Sequence, residues 1–164
     1  METRTKSPVI NSIFSANEGK IPQNTEFSFS FNPEEIIRKY EKGTAPLSAR
    51  IDAVKTLISR GYKVGLRFLP LLPVANYENL YRELLRNLIS EIDFSKISSV
   101  FIASLIYNPG DFKQMQKKNP NSDLWSLVRQ QDSGLVKIDQ PVWEHFLQIF
   151  VEELPGVKLY FDYI

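Results

Sequence analysis

Segments with the pattern of β-strands alternate with segments with the pattern of α-helices along most of this chain. Aromatic residues occupy every second position from Phe27 to Phe31 with serine between them, which is the period of a strand. Apolar residues then recur at helical spacing from Leu47 to Ile58, and again from Leu80 to Leu88. This alternation is typical of parallel βαβ units, so we predict an α/β fold with a mostly parallel sheet.

Turn and capping residues place the ends of the individual elements. Asn32 and Asn76 stand at helix-capping positions, and Gly61 stands where a helix takes its left-handed last residue. The nearly uncharged run from Ile97 to Tyr107 is typical of a strand covered on both faces. The predicted strands are 25–31, 62–69, 97–107 and 157–163. The predicted helices are 33–41, 46–60, 77–89, 112–117, 122–130 and 141–153, with a polar hinge at 131–134.

Composition excludes several classes of function. The 164 residues suffice for a single domain, and a net charge of +1 is too small for a nucleic-acid binder that works by charge alone. With no cysteine, the chain itself can supply no disulfide, thiolate nucleophile or iron–sulfur ligand. A single histidine, His145, excludes a metal site built on several imidazoles. No segment has the length and apolarity of a signal peptide or membrane span, so we expect a soluble cytoplasmic protein without membrane contact.

The beginning of the sequence has the pattern of the end of a strand. Residues Glu2 to Ser7 alternate in the manner of a strand's last residues and lead directly into loop or helix material. We therefore expect the strand to begin before Met1 and the fold to lack its first half. The first strand should then be an unpaired edge of an open sheet.

Three blocks of residues occur in a fixed order between about residues 2 and 123. The first is Glu2-Thr3-Arg4-Thr5-Lys6-Ser7. The second is Ser28-Phe29-Ser30-Phe31-Asn32-Pro33, followed by Glu41-x-Gly43-Thr44, Arg50-Ile51-x-Ala53 and Gly61-Tyr62. The third is Pro70, Tyr77, Tyr81, the strand to Ser104 and Asn119-Pro120-Asn121-Ser122. Together these blocks resemble the C-terminal half of the spore photoproduct lyase family, which belongs to the radical S-adenosylmethionine (radical SAM) enzymes.

This resemblance implies the C-terminal half of a radical SAM partial TIM barrel, with mostly parallel strands and helices on the outer face. Such enzymes hold S-adenosylmethionine against a [4Fe-4S] cluster, and a 5′-deoxyadenosyl radical then reverses a thymine dimer in DNA. By resemblance, Lys6 contacts the methionyl carboxylate of this cofactor, and Ser30, or failing that Ser28, contacts it from the next strand end. An ammonium and a hydroxyl there would converge where such barrels bind ligands. Asn32 can join them only if its amide points into the barrel mouth.

The chain departs from the family where the cluster should be bound. The family's three-cysteine motif is absent, so a [4Fe-4S] cluster would have to come from another chain. One hypothesis is that a separate chain with a CxxxCxxC half barrel completes the enzyme, which then repairs or modifies DNA. A second is a truncated, non-catalytic relative that acts as a binding or inert module. A third is an unrelated small α/β binding protein that shares these blocks by chance.

Four further features each have a functional and a structural interpretation. Arg67 lies in an otherwise apolar strand and must find a carboxylate, a phosphate or solvent, so it is either a cofactor or DNA contact or half of an ion pair. Glu41 and Thr44 flank Gly43 in a turn that we interpret as a requirement of backbone geometry. We expect His145 to be structural rather than catalytic. A basic patch, which we expect to be a solvated helix face rather than a phosphate site, consists of Lys113, Lys117 and Lys118.

Overall fold

In the part of the chain that the structure describes, five parallel strands form the main sheet. The computed structural model describes residues 2–7, 10 and 24–162. The strands of this sheet are β1 Glu2–Thr5, β2 Glu26–Ser30, β3 Lys63–Leu71, β4 Ile97–Ser104 and β8 Leu159–Asp162. They lie in the order β1-β2-β3-β4-β8, and every neighbouring pair is parallel. The predicted α/β class with a parallel sheet is confirmed.

Helices connect β2 to β3, β3 to β4 and β4 to β8 in the manner of βαβ crossovers. The helices are α1 Glu34–Tyr40, α2 Leu47–Ser59, α3 Tyr77–Glu91, α4 Pro109–Lys118 and α5 Gln140–Glu153, with 3₁₀ turns at Phe94–Lys96 and Asp123–Leu127. A small antiparallel sheet, in the order β5-β7-β6, contains β5 Ile106–Tyr107, β6 Arg129–Gln130 and β7 Val136–Lys137. Within the described residues, no helix combines the length and apolarity needed to cross a membrane.

The two faces of the main sheet differ in chemistry. Alternate residues of the central strands, such as Phe29, Leu66 and Val100, are fully or almost fully buried and share one core with the helices. The ring of Phe68 packs edge-on against Phe150 of α5, with ring centres 4.8 Å apart, so this side is the helix face of the sheet. The opposite, polar face carries Ser28, Ser30, Arg67 and Ser99, which occupy the intervening positions.

The first strand lies at an edge of the sheet, as predicted. Within the described residues, β1 pairs with β2 alone, in a register that sets Arg4 opposite Ser28 and Thr5 opposite Phe29. The other edge is β8, where the side chain of Phe161 is exposed. The predicted last strand extended to Tyr163, which lies outside the described residues.

Two predicted elements are wrong. The segment 122–130, predicted to be one helix, forms a 3₁₀ turn at Asp123–Leu127 followed by β6. The side chain of Ser122 accepts a hydrogen bond from the amide of Leu124, which closes a tight turn, and Val128 is already extended. The predicted strand 97–107 divides at Leu105, because residues 106–107 pair with a different sheet.

Of the two predicted capping residues, Asn76 stands at the cap position of α3, whereas Pro33 rather than Asn32 occupies the cap position of α1. Asn76 makes no side-chain capping bond. Asn76 has a left-handed backbone with φ of 60°, and its carboxamide oxygen accepts from Asn79 instead. The side chain of Asn32 is fully buried and bonds to groups on other elements.

Candidate cofactor site at the carboxyl ends of the strands

Lys6 directly follows β1, so its ammonium lies at the carboxyl end of the parallel sheet. Its Nζ atom is 2.8 Å from Oε1 of Glu41, the residue that follows α1. The side chain of Glu41 is only 7% exposed, whereas that of Lys6 is 32% exposed. The pair thus has a buried anionic end and a cationic end that solvent can reach.

A buried arginine holds the carboxylate of Glu41 from the other side. Nη2 of Arg50 lies 2.7 Å from Oε2 of Glu41 and 2.8 Å from Oγ1 of Thr44. Nη1 donates to the carbonyl of Ser30, and Nε donates to the carbonyl of Ala45. Because the Arg50 side chain has no solvent exposure, these acceptors replace the water that its charge has lost.

Asn32 and Tyr81 complete the surroundings of Glu41. The amide of Asn32 donates to Oε1 of Glu41 at 2.9 Å, and its carbonyl oxygen accepts from the hydroxyl of Tyr81 at 2.9 Å. That hydroxyl in turn accepts from the backbone amide of Leu72, directly after β3. We call this group the Glu41 cluster; its members are Lys6, Asn32, Glu41, Thr44, Arg50 and Tyr81.

The Glu41 cluster keeps its carboxylate ionised. Burial alone raises the pKa of Glu41, but hydrogen bonds from Lys6, Asn32 and Arg50 outweigh burial and bring that pKa below its ordinary value. Burial also raises the pKa of Tyr81, which keeps its hydroxyl protonated as a donor. The cluster contains two positive charges and one negative charge, so a net charge of +1 lies beside the exposed end of Lys6.

This arrangement fits the carboxylate of a small ligand. An ammonium has three N–H donors, and the contact with Glu41 uses one of them. A carboxylate that approaches the exposed end of Lys6 would meet that net positive charge at the rim where parallel α/β sheets bind ligands. The chain does not fit an iron–sulfur cluster, because it has no cysteine to ligate one.

A second group of polar residues occupies the polar face nearer the start of the strands. The guanidinium of Arg67 lies 2.6 Å from Oε1 of Glu2 and also contacts Glu26 and the hydroxyl of Ser99. Ser28 donates to Glu26 at 3.1 Å. We call this group the Arg67 cluster; its members are Glu2, Glu26, Ser28, Arg67, Ser98 and Ser99.

The sequence-predicted site residues therefore divide between two clusters. Lys6 and Asn32 meet in the Glu41 cluster, where Ser30 takes part through its backbone carbonyl. Ser28 and Arg67 belong to the Arg67 cluster, and the ion-pair interpretation of Arg67 describes the contacts that it makes. A contact between Arg67 or Ser28 and a ligand stays a prediction.

The other candidates lie outside both clusters. Nδ1 of His145 is 2.7 Å from the hydroxyl of Tyr77, and Nε2 lies 3.6 Å from a carboxylate oxygen of Glu78, so this histidine connects α5 to α3. The three lysines of the basic patch are exposed on α4.

The members of the Glu41 cluster that sequence reasoning did not assign to a site are Glu41, Thr44, Arg50 and Tyr81. One signal was available for Arg50, because it falls on the apolar side of α2, three residues after Leu47 and four before Val54. A charge in that position must find buried acceptors, and Glu41 was the nearest candidate in the family-like turn.

The fold and the Glu41 cluster define a class of protein: a parallel α/β barrel wall with a partly exposed ammonium at the carboxyl ends of its strands. A family model described as Spore photoproduct lyase matches residues 3–124. The chain belongs to the spore photoproduct lyase family.

Curated relatives share shorter segments with the chain. The spore photoproduct lyase of Bacillus subtilis is 36% identical over 64 residues, which are 39% of this chain and 19% of that protein. The spore photoproduct lyase of Clostridium acetobutylicum is 31% identical over 86 residues, which are 49% of this chain and 26% of that protein. The matched segments thus span much less than the whole length of either relative.

Solved structures of spore photoproduct lyase share the fold. A mutant with bound AdoMet and dinucleoside spore photoproduct superposes with a TM-score of 0.75 at 19% identity, covering 99% of this chain and 50% of that one. A second mutant structure gives a TM-score of 0.76 at 20% identity, covering 98% and 51%. The chain thus spans about half the length of the solved relatives it matches.

Proposed function

We propose that this chain forms part of the S-adenosylmethionine pocket of a spore photoproduct lyase-like radical SAM protein. Lys6 would bind the methionyl carboxylate, Ser30 would contact the cofactor from the next strand end, and Asn32 would act through Glu41. The observation that carries this proposal is the ion pair of Lys6 with a buried Glu41, which Arg50 also binds, at the carboxyl ends of three neighbouring strands. The AdoMet bound to a solved relative of the same fold supports the choice of ligand.

The chain's own residues supply binding rather than electron transfer. Radical chemistry on S-adenosylmethionine needs a reduced iron–sulfur cluster, for which this chain has no ligand. We infer that a separate chain with a CxxxCxxC half barrel would complete the site along the edge of β1 that pairs with no other strand among the described residues. The completed protein would act on DNA, and the dinucleoside spore photoproduct bound by the solved relative supports that substrate class.

Titration of S-adenosylmethionine into the isolated chain tests the pocket. We expect chemical-shift changes at the ends of β1 and β2 with millimolar cofactor, and Lys6→Ala should weaken binding about tenfold, the size of one charge-assisted hydrogen bond. Lys55→Ala is a matched control, because Lys55 makes a similar 2.7 Å ion pair with Glu91 on the helix surface.

Two results would contradict the proposal. Equal affinity of the wild-type chain and Lys6→Ala would remove Lys6 from the pocket. The absence of any shift change at millimolar cofactor would remove the pocket from this chain.

The second candidate function is that of a non-catalytic binding module, and the ion pairs of Arg67 favour it. Its guanidinium is bound by Glu2 and Glu26 on the polar face, so a side chain that could bind the cofactor or a DNA phosphate pairs with carboxylates of the sheet instead. This candidate predicts cofactor binding without cofactor cleavage when a cluster-bearing half barrel and a reductant are added. Formation of 5′-deoxyadenosine in that mixture would exclude it.

A further inference from the structure

We infer that Glu41 is a positioning residue that holds the ammonium of Lys6 in place for the ligand carboxylate, and that Tyr81 and Asn32 hold Glu41. This inference rests on the proposed function, since it concerns the geometry of the same pocket. Glu41, Tyr81 and Asn32 would play this role without touching the ligand.

The side chain of Lys6 is flexible unless a contact restrains it. A lysine side chain has four rotatable carbon–carbon bonds, and ordering it costs more conformational entropy than ordering most other residues. Lys6 follows the last residue of an edge strand, and its side chain is one-third exposed. Solvent does not restrain the exposed part of this side chain. The contact at 2.8 Å with Glu41 supplies that restraint before a ligand arrives.

The carboxylate of Glu41 is held rigidly by its hydrogen bonds. Both of its oxygens are occupied: Oε1 accepts from Lys6 and Asn32, and Oε2 accepts from the fully buried Arg50. Because Arg50 also binds the backbone of Ser30, the carboxylate is fixed relative to the end of β2. Glu41 is therefore a fixed anchor for Lys6 rather than a mobile counter-ion.

Asn32 and Tyr81 connect this anchor to the neighbouring strand β3. The hydroxyl of Tyr81 donates to Asn32 and accepts from the amide of Leu72, so the orientation of the Asn32 carboxamide is set from the end of β3. The ring of Tyr81 packs against Phe146 and Phe150, with ring centres 5.1 and 6.4 Å away. One hydrogen-bonded chain thus runs from the core through Asn32 and Glu41 to Lys6.

Positioning and simple charge balance predict opposite effects. Removing the charge of Glu41 changes the net charge of the cluster from +1 to +2, which by Coulomb attraction alone would tighten the binding of a carboxylate. If Glu41 acts by positioning Lys6, the same change weakens binding, because the ammonium loses its restraint. The sign of the change in affinity therefore separates the two explanations.

The experiment compares two ligands that differ only in the carboxylate. Affinities for S-adenosylmethionine and decarboxylated S-adenosylmethionine are measured for the wild-type chain, Glu41→Gln and Tyr81→Phe, with Glu91→Gln as a control from the helix-surface pair with Lys55. We expect Glu41→Gln to weaken S-adenosylmethionine binding about tenfold and Tyr81→Phe about threefold. Neither variant should change the affinity for the decarboxylated ligand.

A Lys6→Met background completes the cycle. If Glu41 acts through Lys6, Glu41→Gln should cause no further loss once Lys6 is removed. Tyr81→Phe keeps the buried ring and every charge, so it still tests the inference if Glu41→Gln fails to fold.

The inference and the proposed function fail in different ways. A loss with Lys6→Met but none with Glu41→Gln or Tyr81→Phe would overturn the positioning role and leave the pocket in place. Tighter binding by Glu41→Gln, or equal losses for both ligands, would also overturn it. No loss with Lys6→Met would overturn the proposed function itself.

Discussion

Arg50 carries a full positive charge in a side chain that has no solvent exposure. Its guanidinium donates four hydrogen bonds, to the carboxylate of Glu41, the hydroxyl of Thr44 and two backbone carbonyls. A charge in such a place is tolerated only while its partners are present, because the surrounding apolar core offers no substitute for water. At the residue scale, Arg50 is therefore the structural centre of the candidate site.

Replacing Arg50 should destabilise the whole protein. Arg50→Ala leaves the buried carboxylate of Glu41 without its fully buried partner, and breaking a buried ion pair in this way costs about 3–5 kcal/mol. Urea unfolding followed by circular dichroism measures the change. Arg38→Ala is the control, because the Arg38 side chain is 72% exposed and its loss should cost less than about 0.5 kcal/mol. Equal effects of the two changes would contradict the role of Arg50.

Sequence reasoning named Lys6, the residue that we propose faces the ligand, but not the residues that hold it. The resemblance led to Lys6 and Ser30, and both lie at the carboxyl ends of neighbouring strands. Glu41 was interpreted as part of a turn, because the turn itself is local and its partner Arg50 arrives from the next helix. Contacts of this kind depend on the packing of whole elements, which periodicity does not report.

At the element scale, the spacing of apolar residues and the positions of turn residues predicted most strands and helices. Long amphipathic segments such as α3 and α5 end within two residues of their predicted bounds. The failures lie in 122–130 and at Leu105, where short segments are governed by a capping serine and by pairing with the hairpin of β6 and β7. The predicted hinge 131–134 is the turn of that hairpin, with Gly134 at φ of 83°.

Gly65 shows how a strand and the Arg67 cluster depend on each other. A Cβ atom at this position would lie 2.6 Å from Oε1 of Glu26 and 2.8 Å from both Nη1 of Arg67 and Oγ of Ser28. The carboxylate of Glu26 bonds to both Arg67 and Ser28, so it cannot move without disturbing the other two groups.

Gly65→Ala should therefore destabilise the protein by about 1–3 kcal/mol, the usual cost of overpacking. Gly110→Ala provides a control of opposite sign: nothing lies within 4 Å of its Cβ position in α4, and alanine is the better helix former. Thermal unfolding of both variants measures the difference. A Gly65→Ala protein as stable as the wild type would show that the cluster can rearrange without cost.

At the scale of the whole molecule, the sheet has one face closed by helices and one face built from the two ionic clusters. Burial raises the pKa of Glu2, but hydrogen bonds from Arg4, Ser28 and Arg67 overcome burial and lower it to about 2 from an ordinary 4.5. The pKa of Glu26 and that of Glu41 are lowered in the same way, against burial, by donors that include Ser98 for Glu26 and Lys6 for Glu41. Three ionised carboxylates thus connect β1 and β2 to the rest of the fold.

Because of these lowered pKa values, we expect the free energy of unfolding to fall as the pH decreases. A carboxyl whose pKa is lower in the folded than in the unfolded state contributes its full stabilisation above the unfolded value, and the contribution disappears as the pH falls through the folded value. The midpoint of urea unfolding should therefore be nearly constant above the ordinary glutamate pKa of about 4.5, and should fall steadily as the pH decreases toward about 2. Glu2→Gln should flatten this decline, since one of the three titrating groups is gone. A constant urea dependence of the unfolding free energy across the series is the control that the midpoints report stability. A wild-type midpoint that stays level down to pH of about 3 would mean that the polar face does not depend on its carboxylates being ionised.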